Sequence, residues 1–335
     1  MLSFLTRRLL LMALTLWAVS LASFFIISLP PGDYVSTLQA EAESRGELMS
    51  DAELVALRQR YGLDQPFLAQ YWKWISNILF HGDFGQAFAW NSRPVSDLIW
   101  DRVGLSFFLS LSTLLLVWAV AFPIGIYSAV RQYSAGDYLA TFLGFIGMAV
   151  PEFLLALVLM WVGMRYFGQS PGGLFSPEYQ DAAWNLGKLL DLMGHLWLPI
   201  LIIGMSGTAG LIRTTRANLL DELYKPYVVA ARAKGMPEWK LLLKYPVRMS
   251  LSPFFSTVGW LLPGLISGET IISIVMSLPT TGPLLLSGVE NQDMYLVGSF
   301  VLILSTLTVI GTLISDLVLA WWDPRIRHRY ESGGG

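Results

Sequence analysis

The sequence contains no cysteine among its 335 residues, and few of these residues are charged. The lack of cysteine excludes structural disulfides, Cys-ligated zinc and a cysteine nucleophile. Charged residues make up 14% of the chain and hydrophobic residues 54%, whereas a soluble domain carries about 25% charge. A net charge of −2 gives no sign of nucleic acid binding. Much of the surface is therefore expected to face lipid rather than water.

Motifs of common nucleotide-binding and catalytic sites are missing as well. Gly187-Lys188 is followed by Leu189 and lacks the upstream glycine of a phosphate-binding loop, so this chain is not expected to bind ATP through that fold. The sequence has neither the H-E-x-x-H zinc motif nor the G-x-S-x-G nucleophile elbow. Its three histidines are scattered along the chain. The sequence predicts no catalytic residue, no metal ligand and no cofactor held by this chain.

Long apolar runs predict an all-α polytopic membrane protein with six transmembrane helices. The first run, from Leu9 to Leu29, follows Arg7-Arg8. It is longer than a signal-peptide core and lacks a small-residue cleavage site, which favours a retained helix. About 20 residues are enough to cross a hydrocarbon core of about 30 Å. The other five predicted spans are approximately 105–129, 138–166, 196–219, 254–277 and 295–322.

The basic residues predict the orientation of these spans. Six spans place both termini on one side, and Lys and Arg concentrate in the termini and loops of that side. Because such residues are enriched in cytoplasmic loops, both termini are expected to be cytoplasmic. The bases that carry this prediction are Arg7, Arg8, Arg131, Lys225, Arg232, Lys234, Lys240, Lys244, Arg248, Arg325, Arg327 and Arg329.

The segment 30–102 is long for a connection between spans, and it predicts a small helical extracytoplasmic segment. Ser50-Asp-Ala-Glu53 resembles a helix capping box. Gln70–Phe80 has the aromatic residues of an amphipathic, interfacial helix. A folded loop that only shields the spans is an equally open interpretation. The expected division is an N-terminal transmembrane helix (1–29), this segment (30–102), a five-helix core (103–322) with a cytoplasmic loop at 219–253, and a cytoplasmic tail (323–335).

Three acidic residues, Glu152, Glu269 and Asp316, lie near or inside the predicted spans. A carboxylate in a bilayer needs a partner or water. Glu152 and Glu269 are candidates for a transport pathway, whereas Asp316 is expected near the cytoplasmic end, within reach of Arg325 or Arg327. Glu269 is the best candidate for facing a central cavity, and Glu152 follows Pro151 at a possible helix break. A polar contact that joins two helices is the alternative for Glu269.

The loop from Asp221 to Pro253 carries the most information about function. Tyr227 to Lys234 is expected to be helical, with Gly235 and Pro237 ending the helix. A second short helix is predicted over 238–248. Small residues at 230, 231 and 233, beside basic Arg232 and Lys234, suit docking in a groove of another protein. A plain amphipathic helix on the membrane remains the alternative.

The same loop resembles a short motif of ABC importer permeases, Ala230-Ala231-x-x-x-Gly235. The longer string from Tyr227 is similar to the version found in the dipeptide/oligopeptide permease family. Further short motifs of that family occur in the expected order along nearly the whole chain. They are Arg7-Arg8-Leu9-Leu10, Leu29-Pro-Pro-Gly-Asp33, Tyr61-Gly-Leu-Asp-Gln-Pro66, Gly82-Asp-Phe-Gly85, Arg93-Pro-Val95, Pro279-x-x-Gly282 and Asp323-Pro-Arg325.

This resemblance implies a type I ABC importer permease in a bacterial inner membrane. A second permease subunit, two ATPase subunits that bind ATP and Mg²⁺, and an extracytoplasmic solute-binding protein are the implied partners. ATP-driven closure of the ATPases would switch the spans between two packings. The residues implied in coupling to the ATPases are Tyr227, Ala230, Ala231, Arg232, Lys234, Gly235, Met236 and Pro237.

Some positions depart from the family pattern. Val229 stands in the place of a glutamate, and Thr280-Thr281 replaces a common Gly-Leu. Ser273 stands where relatives often have glutamate, with Glu269 one helical turn earlier, so both are candidate pathway residues. The solute is left open among peptides, oligosaccharides, opines and metal chelates. An autonomous ion- or proton-coupled carrier, based on Glu269 and Asp316, is the alternative function, and a membrane enzyme is a third.

Overall fold

The protein is described by a computed structural model that covers residues 2–29, 32–46, 49–88, 90, 93–168, 172–180, 182–251, 254, 263–264 and 270–322. Throughout these ranges the regular structure is α-helical, apart from one π-helical turn and an isolated antiparallel bridge between Gln86 and Pro94. The chain divides into two compact units, one from 1–105 and 280–309 and the other from 106–279 and 310–335. The all-α prediction is confirmed.

The first unit combines the N-terminal helices with the helices that follow residue 280. They are α1 (Leu2–Ile27), α2 (Tyr34–Ser44), α3 (Asp51–Tyr61), α4 (Phe67–His81), the beginning of α5 (Val95–Val130), α13 (Thr281–Glu290) and the first part of α14 (Met294–Trp322). The predicted capping box is confirmed: Ser50 accepts a hydrogen bond from the Glu53 N–H, and the Glu53 side chain accepts one from the Ser50 N–H.

The core of this unit is aromatic and is supplied largely by α4. Tyr71, Trp74 and Ile75 are buried on one face of α4, as helical spacing requires. Phe24 of α1 stacks on Trp74 with the ring centroids 5.4 Å apart. Two hydrogen bonds fix the polar tips of these rings: Ser20 Oγ lies 2.8 Å from the Tyr71 hydroxyl, and Trp74 Nε1 donates to Ser299 Oγ at 3.3 Å. The helix α4 of the segment 30–102 therefore packs onto α1 and α14.

An ion pair joins the start of α2 to α3. Arg58 Nε lies 3.1 Å from Asp33 Oδ2, and the Ser36 N–H donates to Asp33 Oδ1 at 2.8 Å. Burial alone raises the pKa of Asp33, but the hydrogen bonds from Ser36 and the charge of Arg58 outweigh it, so the pKa lies below the ordinary 3.8.

This lowered pKa predicts an acid-sensitive contact. A depressed carboxyl pKa contributes stability above the unfolded value of 3.8, and this stability is lost as the pH falls through the lower folded value. Hydrogen exchange over 34–44, corrected for its intrinsic pH dependence, should stay slow at neutral pH and accelerate below about pH 4. The Arg58→Met variant should exchange faster already at neutral pH. Equal exchange in both proteins at every pH would contradict the prediction.

The second unit contains the rest of α5, then α6 (Ala135–Ala149), α7 (Glu152–Val162), α8 (Leu186–Leu223), α9 (Pro226–Ala233), α10 (Glu238–Lys244), α11 (Pro246–Ser250), α12 (Thr270–Val275) and the rest of α14. The π-helical turn Gly163–Phe167 follows α7. Within this unit α6 packs along α8, and α11 packs on α8 beside Leu219 and Val247.

Four described helices are long and apolar enough to cross a membrane, in the stretches Leu10–Ile27, Val95–Val130, Leu186–Leu223 and Met294–Ser315. The predicted third span is not one straight helix: α6 and α7 meet at 90°. Val150 is extended and Pro151 precedes α7, because a residue before proline avoids the α region. Counting this bent pair gives five spans. Most of the predicted fifth span lies outside the described residues, so the count of six stays a prediction.

Candidate coupling surface and pathway residues

The cytoplasmic loop predicted at 219–253 forms three short helices. Pro226 begins α9 at a position where a missing N–H costs nothing. Gly235, with φ +75°, ends the turn that follows α9, and Pro237 precedes α10. These boundaries confirm the predicted first helix. The predicted second helix over 238–248 is corrected, because the chain breaks at Tyr245 before Pro246 and continues as α11.

Polar contacts hold α9 at both ends. Glu222, at the end of α8, accepts hydrogen bonds from the Tyr227 hydroxyl and, at 2.5 Å, from Lys225 Nζ. Burial and this carboxylate both raise the pKa of Tyr227, so its hydroxyl remains a donor. At the other end Arg232 binds Glu238 through Nε at 3.1 Å and Nη2 at 2.6 Å. The hydrogen bonds from Arg232 lower the pKa of Glu238. Because this pair is exposed, its contribution is about 0–1 kcal/mol.

The exposed face of α9 is made of small side chains. Val228 is fully buried, and Leu241 of α10 is fully buried as well. With about 100° between successive residues, Ala230 and Ala233 lie roughly opposite Val228, and both are exposed. Ala231 lies at the flank and is half-buried. The face of α9 opposite Val228 thus carries the small side chains of Pro226, Ala230 and Ala233, with exposed Val229 beside them.

The three candidate pathway residues are not brought together as a described site. Glu152, in the first turn of α7, accepts a hydrogen bond from Ser206 of α8. This hydrogen bond joins α7 to α8. Ser273 is buried in α12. Glu269 lies outside the described residues, as does the side chain of Asp316. A pathway role for Glu152, Glu269 and Ser273 stays a prediction.

A buried ion pair that the sequence did not reveal joins α6 to α8. Arg216 Nε donates to Asp137 Oδ1 at 2.8 Å and Arg216 Nη2 donates to Asp137 Oδ2 at 2.9 Å. Asp137 is 2% exposed and also accepts the Tyr133 N–H at 2.9 Å. Such two-point pairing fixes orientation as well as distance. The pair lies on α8 shortly before the loop that carries α9.

Asp293, at the start of α14, is a second buried carboxylate that the sequence analysis missed. It is fully buried and accepts the Leu296 N–H at 3.0 Å, which caps α14. Its other oxygen accepts the Phe88 N–H at 2.6 Å. An aspartate directly before the apolar run that begins at Met294 was a usable capping signal. No pattern in the sequence indicated the contact to Phe88.

The long apolar helices define a polytopic membrane protein. The chain belongs to the family described as "Binding-protein-dependent transport system inner membrane component", which matches residues 121–328. The family described as "Binding-prot-dependent transport system membrane comp, N-term" matches residues 1–112.

Curated relatives cover almost the whole chain. The oligopeptide transport system permease protein AppB of Bacillus subtilis is 33% identical over 328 residues, 98% of this chain and 100% of the relative. The oligopeptide permease protein OppB of Haemophilus influenzae is 30% identical over 98% of this chain and 100% of the relative. OppB of Escherichia coli strain K12 is 29% identical with the same coverage.

Family membership decides between the functions that the sequence left open. The chain is a permease subunit of an ABC importer and a multi-pass membrane protein. It is a transport subunit and not an enzyme, because in this family separate subunits hydrolyse ATP. The alternative of an autonomous secondary transporter is set aside on the same ground.

Proposed function

We propose that this chain forms half of the translocation pathway of a peptide importer and that α9 is its contact with an ATPase subunit. The observation that carries the proposal is the small-residue face of α9. Ala230 and Ala233 are exposed there, and Gly235 ends the segment with no atom within 4 Å of the position of a Cβ. A face without long side chains lets the backbone of a partner approach closely, as docking in a groove requires.

The contacts around α9 explain how docking would move the spans. Glu222 ties the start of α9 to the end of α8 through Lys225 and Tyr227, and Arg232 ties its end to α10. The helix α8 is continuous over 38 residues, from Leu186 to Leu223. A displacement of α9 therefore passes to a long membrane helix without an intervening flexible linker, which suits a switch between two packings.

The same proposal implies the other subunits of the importer. A second permease subunit completes the pathway, two ATPase subunits bind ATP and Mg²⁺, and an extracytoplasmic solute-binding protein delivers the solute. The distribution of basic residues supports a bacterial inner membrane protein with cytoplasmic termini. The divisions 1–29, 30–102, 103–322 and 323–335 then correspond to the first span, an extracytoplasmic segment, the five-helix core with its coupling loop, and a cytoplasmic tail.

A peptide-like solute is supported by the oligopeptide permeases among the relatives. An oligosaccharide is the competing solute. Uptake of labelled short peptides and labelled oligosaccharides should be compared in cells with and without this chain. Peptide uptake that depends on the chain is expected, and chain-dependent uptake of the oligosaccharide alone would contradict the assignment.

Replacing Gly235 by valine tests the docking role. The left-handed backbone at φ +75° strains a β-branched residue by about 1–3 kcal/mol, although the side chain itself meets no neighbour. The turn after α9 should reorganise, and both co-purification with the ATPases and solute-stimulated ATP hydrolysis should fall. Gly46→Val is the matched control, since Gly46 has φ +80° and equally free space in the first unit. Wild-type coupling in Gly235→Val would overturn the docking role.

A further inference from the structure

The end of α8 that lies farthest from α9 carries a buried lysine. Lys188 is only 6% exposed. Its ammonium group donates hydrogen bonds to the carbonyl oxygens of Gln180 at 3.2 Å and Ala182 at 2.7 Å. It also lies over two aromatic rings, 4.8 Å from the ring centroid of Phe175 and 5.4 Å from that of Trp184. The chain that leads into α8 is therefore folded around a single cation.

The surroundings of Lys188 hold this part of the chain in one conformation. A charge buried away from water is strongly unfavourable unless other groups compensate it. Among the described residues, no carboxylate forms an ion pair with Lys188. The two carbonyl oxygens and the two ring faces provide the compensation instead. Because they surround the ammonium group only in this fold, a change of conformation would expose the charge to an uncompensated environment.

Two further contacts fasten the same stretch to α8. Ser176 donates two hydrogen bonds to the carboxylate of Asp191, from its N–H to Oδ2 at 2.8 Å and from its Oγ to Oδ1 at 2.6 Å. Tyr179 lies directly on the backbone of α8, since a Cβ at Gly187 would be 2.9 Å from the tyrosine hydroxyl. Together with Lys188, these contacts attach the stretch to the first two turns of α8.

The other end of this stretch is tied to the end of α12. The Gly173 N–H donates a hydrogen bond to the carbonyl of Met276 at 2.7 Å. The side chains of Leu174 and Met276, on the two sides of this bond, are buried. Gly173 has φ +85°, a left-handed conformation that favours glycine. Since Ser273 lies on α12 less than one turn before Met276, the contact is close to a candidate pathway residue.

We propose that this stretch, residues 173–180 and 182–185, is a strap that makes the end of α8 and the end of α12 move as one body during transport. The proposal rests on the proposed function in one respect, which is that α9 moves α8. Because α8 has 38 residues and is about 55 Å long, the strap carries a displacement from α9 to the distant end of α12. Gly173, Lys188 and Asp191 are then positioning residues that act on the pathway through α12.

The test places two spin labels in the complete importer, on cysteines introduced at Ser277 after α12 and at Leu190 on α8. Both side chains are exposed, and the lack of native cysteine restricts labelling of this chain to the two sites. Electron paramagnetic resonance should give one narrow distance distribution without nucleotide and the same distribution after trapping with ATP and vanadate. A label distance that differs between the two states would overturn the proposal.

Two variants loosen the strap at its opposite ends. Gly173→Ala strains the backbone at φ +85°, and Lys188→Met removes the cation around which the strap folds. Each should broaden the distance distribution between the labels and reduce solute-stimulated ATP hydrolysis severalfold. Gly168→Ala is the matched control, because Gly168 has φ +66° and equally free space but lies outside the strap. It should leave both measurements unchanged.

The label distance separates a positioning role from a general loss of structure. The comparison of the two nucleotide states needs no substitution in the strap, so it decides the question even if a variant does not assemble. Wild-type distances and coupling in both variants would overturn the proposal. Reduced coupling with unchanged distances would overturn it as well, since the residues would then act by another route. A failure of the docking of α9 is detected separately by Gly235→Val and leaves the distances in the nucleotide-free protein unaffected.

Discussion

Replacing Asp137 by alanine is expected to destabilise the protein by about 3–5 kcal/mol, the usual cost of removing one partner of a buried ion pair. Asp137 is 2% exposed and receives both hydrogen bonds of the Arg216 guanidinium. Without it, the side chain of Arg216, which is 26% exposed, loses its counter-charge, and the Tyr133 N–H loses its acceptor. Thermal unfolding of the purified importer, followed by retention of the complex on gel filtration, measures the effect.

Two further variants separate the ion pair from a general loss of packing. Asp97 is also an aspartate in the first turn of a helix, but it is exposed, and Asp97→Ala should change stability by about 0.5 kcal/mol or less. The double variant Asp137→Leu with Arg216→Met replaces both charges by apolar side chains and should recover much of the loss, because a buried pair is often no better than its apolar replacement. A loss of stability in the double variant as large as that of Asp137→Ala, or larger, would contradict this account of the pair.

The ion pair shows a limit of what the sequence could predict. Asp137 and Arg216 are 79 residues apart, and no periodicity or short motif relates them. Each is an ordinary charged residue near the end of an apolar run. The pairing exists because α6 packs along α8. This packing belongs to the tertiary structure and cannot be read from local sequence. The contact between Asp293 and the Phe88 N–H is hidden for the same reason, since it joins residues 205 apart.

Features set by local chemistry were predictable. Hydropathy located the long apolar helices, although α5 begins at Val95 and α8 at Leu186, well before the apolar stretches predicted for them. The capping box at Ser50 and the end of α9 at Gly235 were read from residue types alone. The bend at Val150 was only partly foreseen, because the apolar run continues on both sides of Pro151 and hides the break. Pro246 was likewise a usable signal for the division between α10 and α11.

The sequence predicted the small-residue face of α9, and the burial of the side chains shows which of its residues are exposed. The sequence grouped residues 230, 231 and 233 as one small-residue face. The structure leaves Ala230 and Ala233 exposed and Ala231 half-buried, because Val228 turns that side of α9 inward. Arg232 and Lys234 were predicted as charge for the partner, but Arg232 is already bonded to Glu238. This bond helps to hold the corner between α9 and α10, and the coupling role of Arg232 and Lys234 stays a prediction.

Replacing Ala230 by tryptophan is expected to uncouple the importer while leaving this chain folded. Ala230 is exposed, so the larger side chain meets nothing within the chain that the fold depends on. In a closely packed interface, however, overfilling costs about 1–3 kcal/mol, which is about 5- to 150-fold in the association constant. The weaker association is measured as the affinity of the detergent-solubilised permease pair for the ATPase subunits. The loss of coupling is measured as solute-stimulated ATP hydrolysis.

The matched control is Ala135→Trp, which places the same side chain at an exposed alanine in the first turn of α6, outside the coupling loop. If α9 is the docking element, Ala135→Trp keeps its ATPases and Ala230→Trp loses them, with equal thermal stability of the two permease chains. Loss of the ATPases in both variants would indicate a broader contact surface. Retention in both would show that the exposed face of α9 is not the contact, because a tryptophan at its centre cannot be accommodated without displacing a partner packed against Ala230 and Ala233.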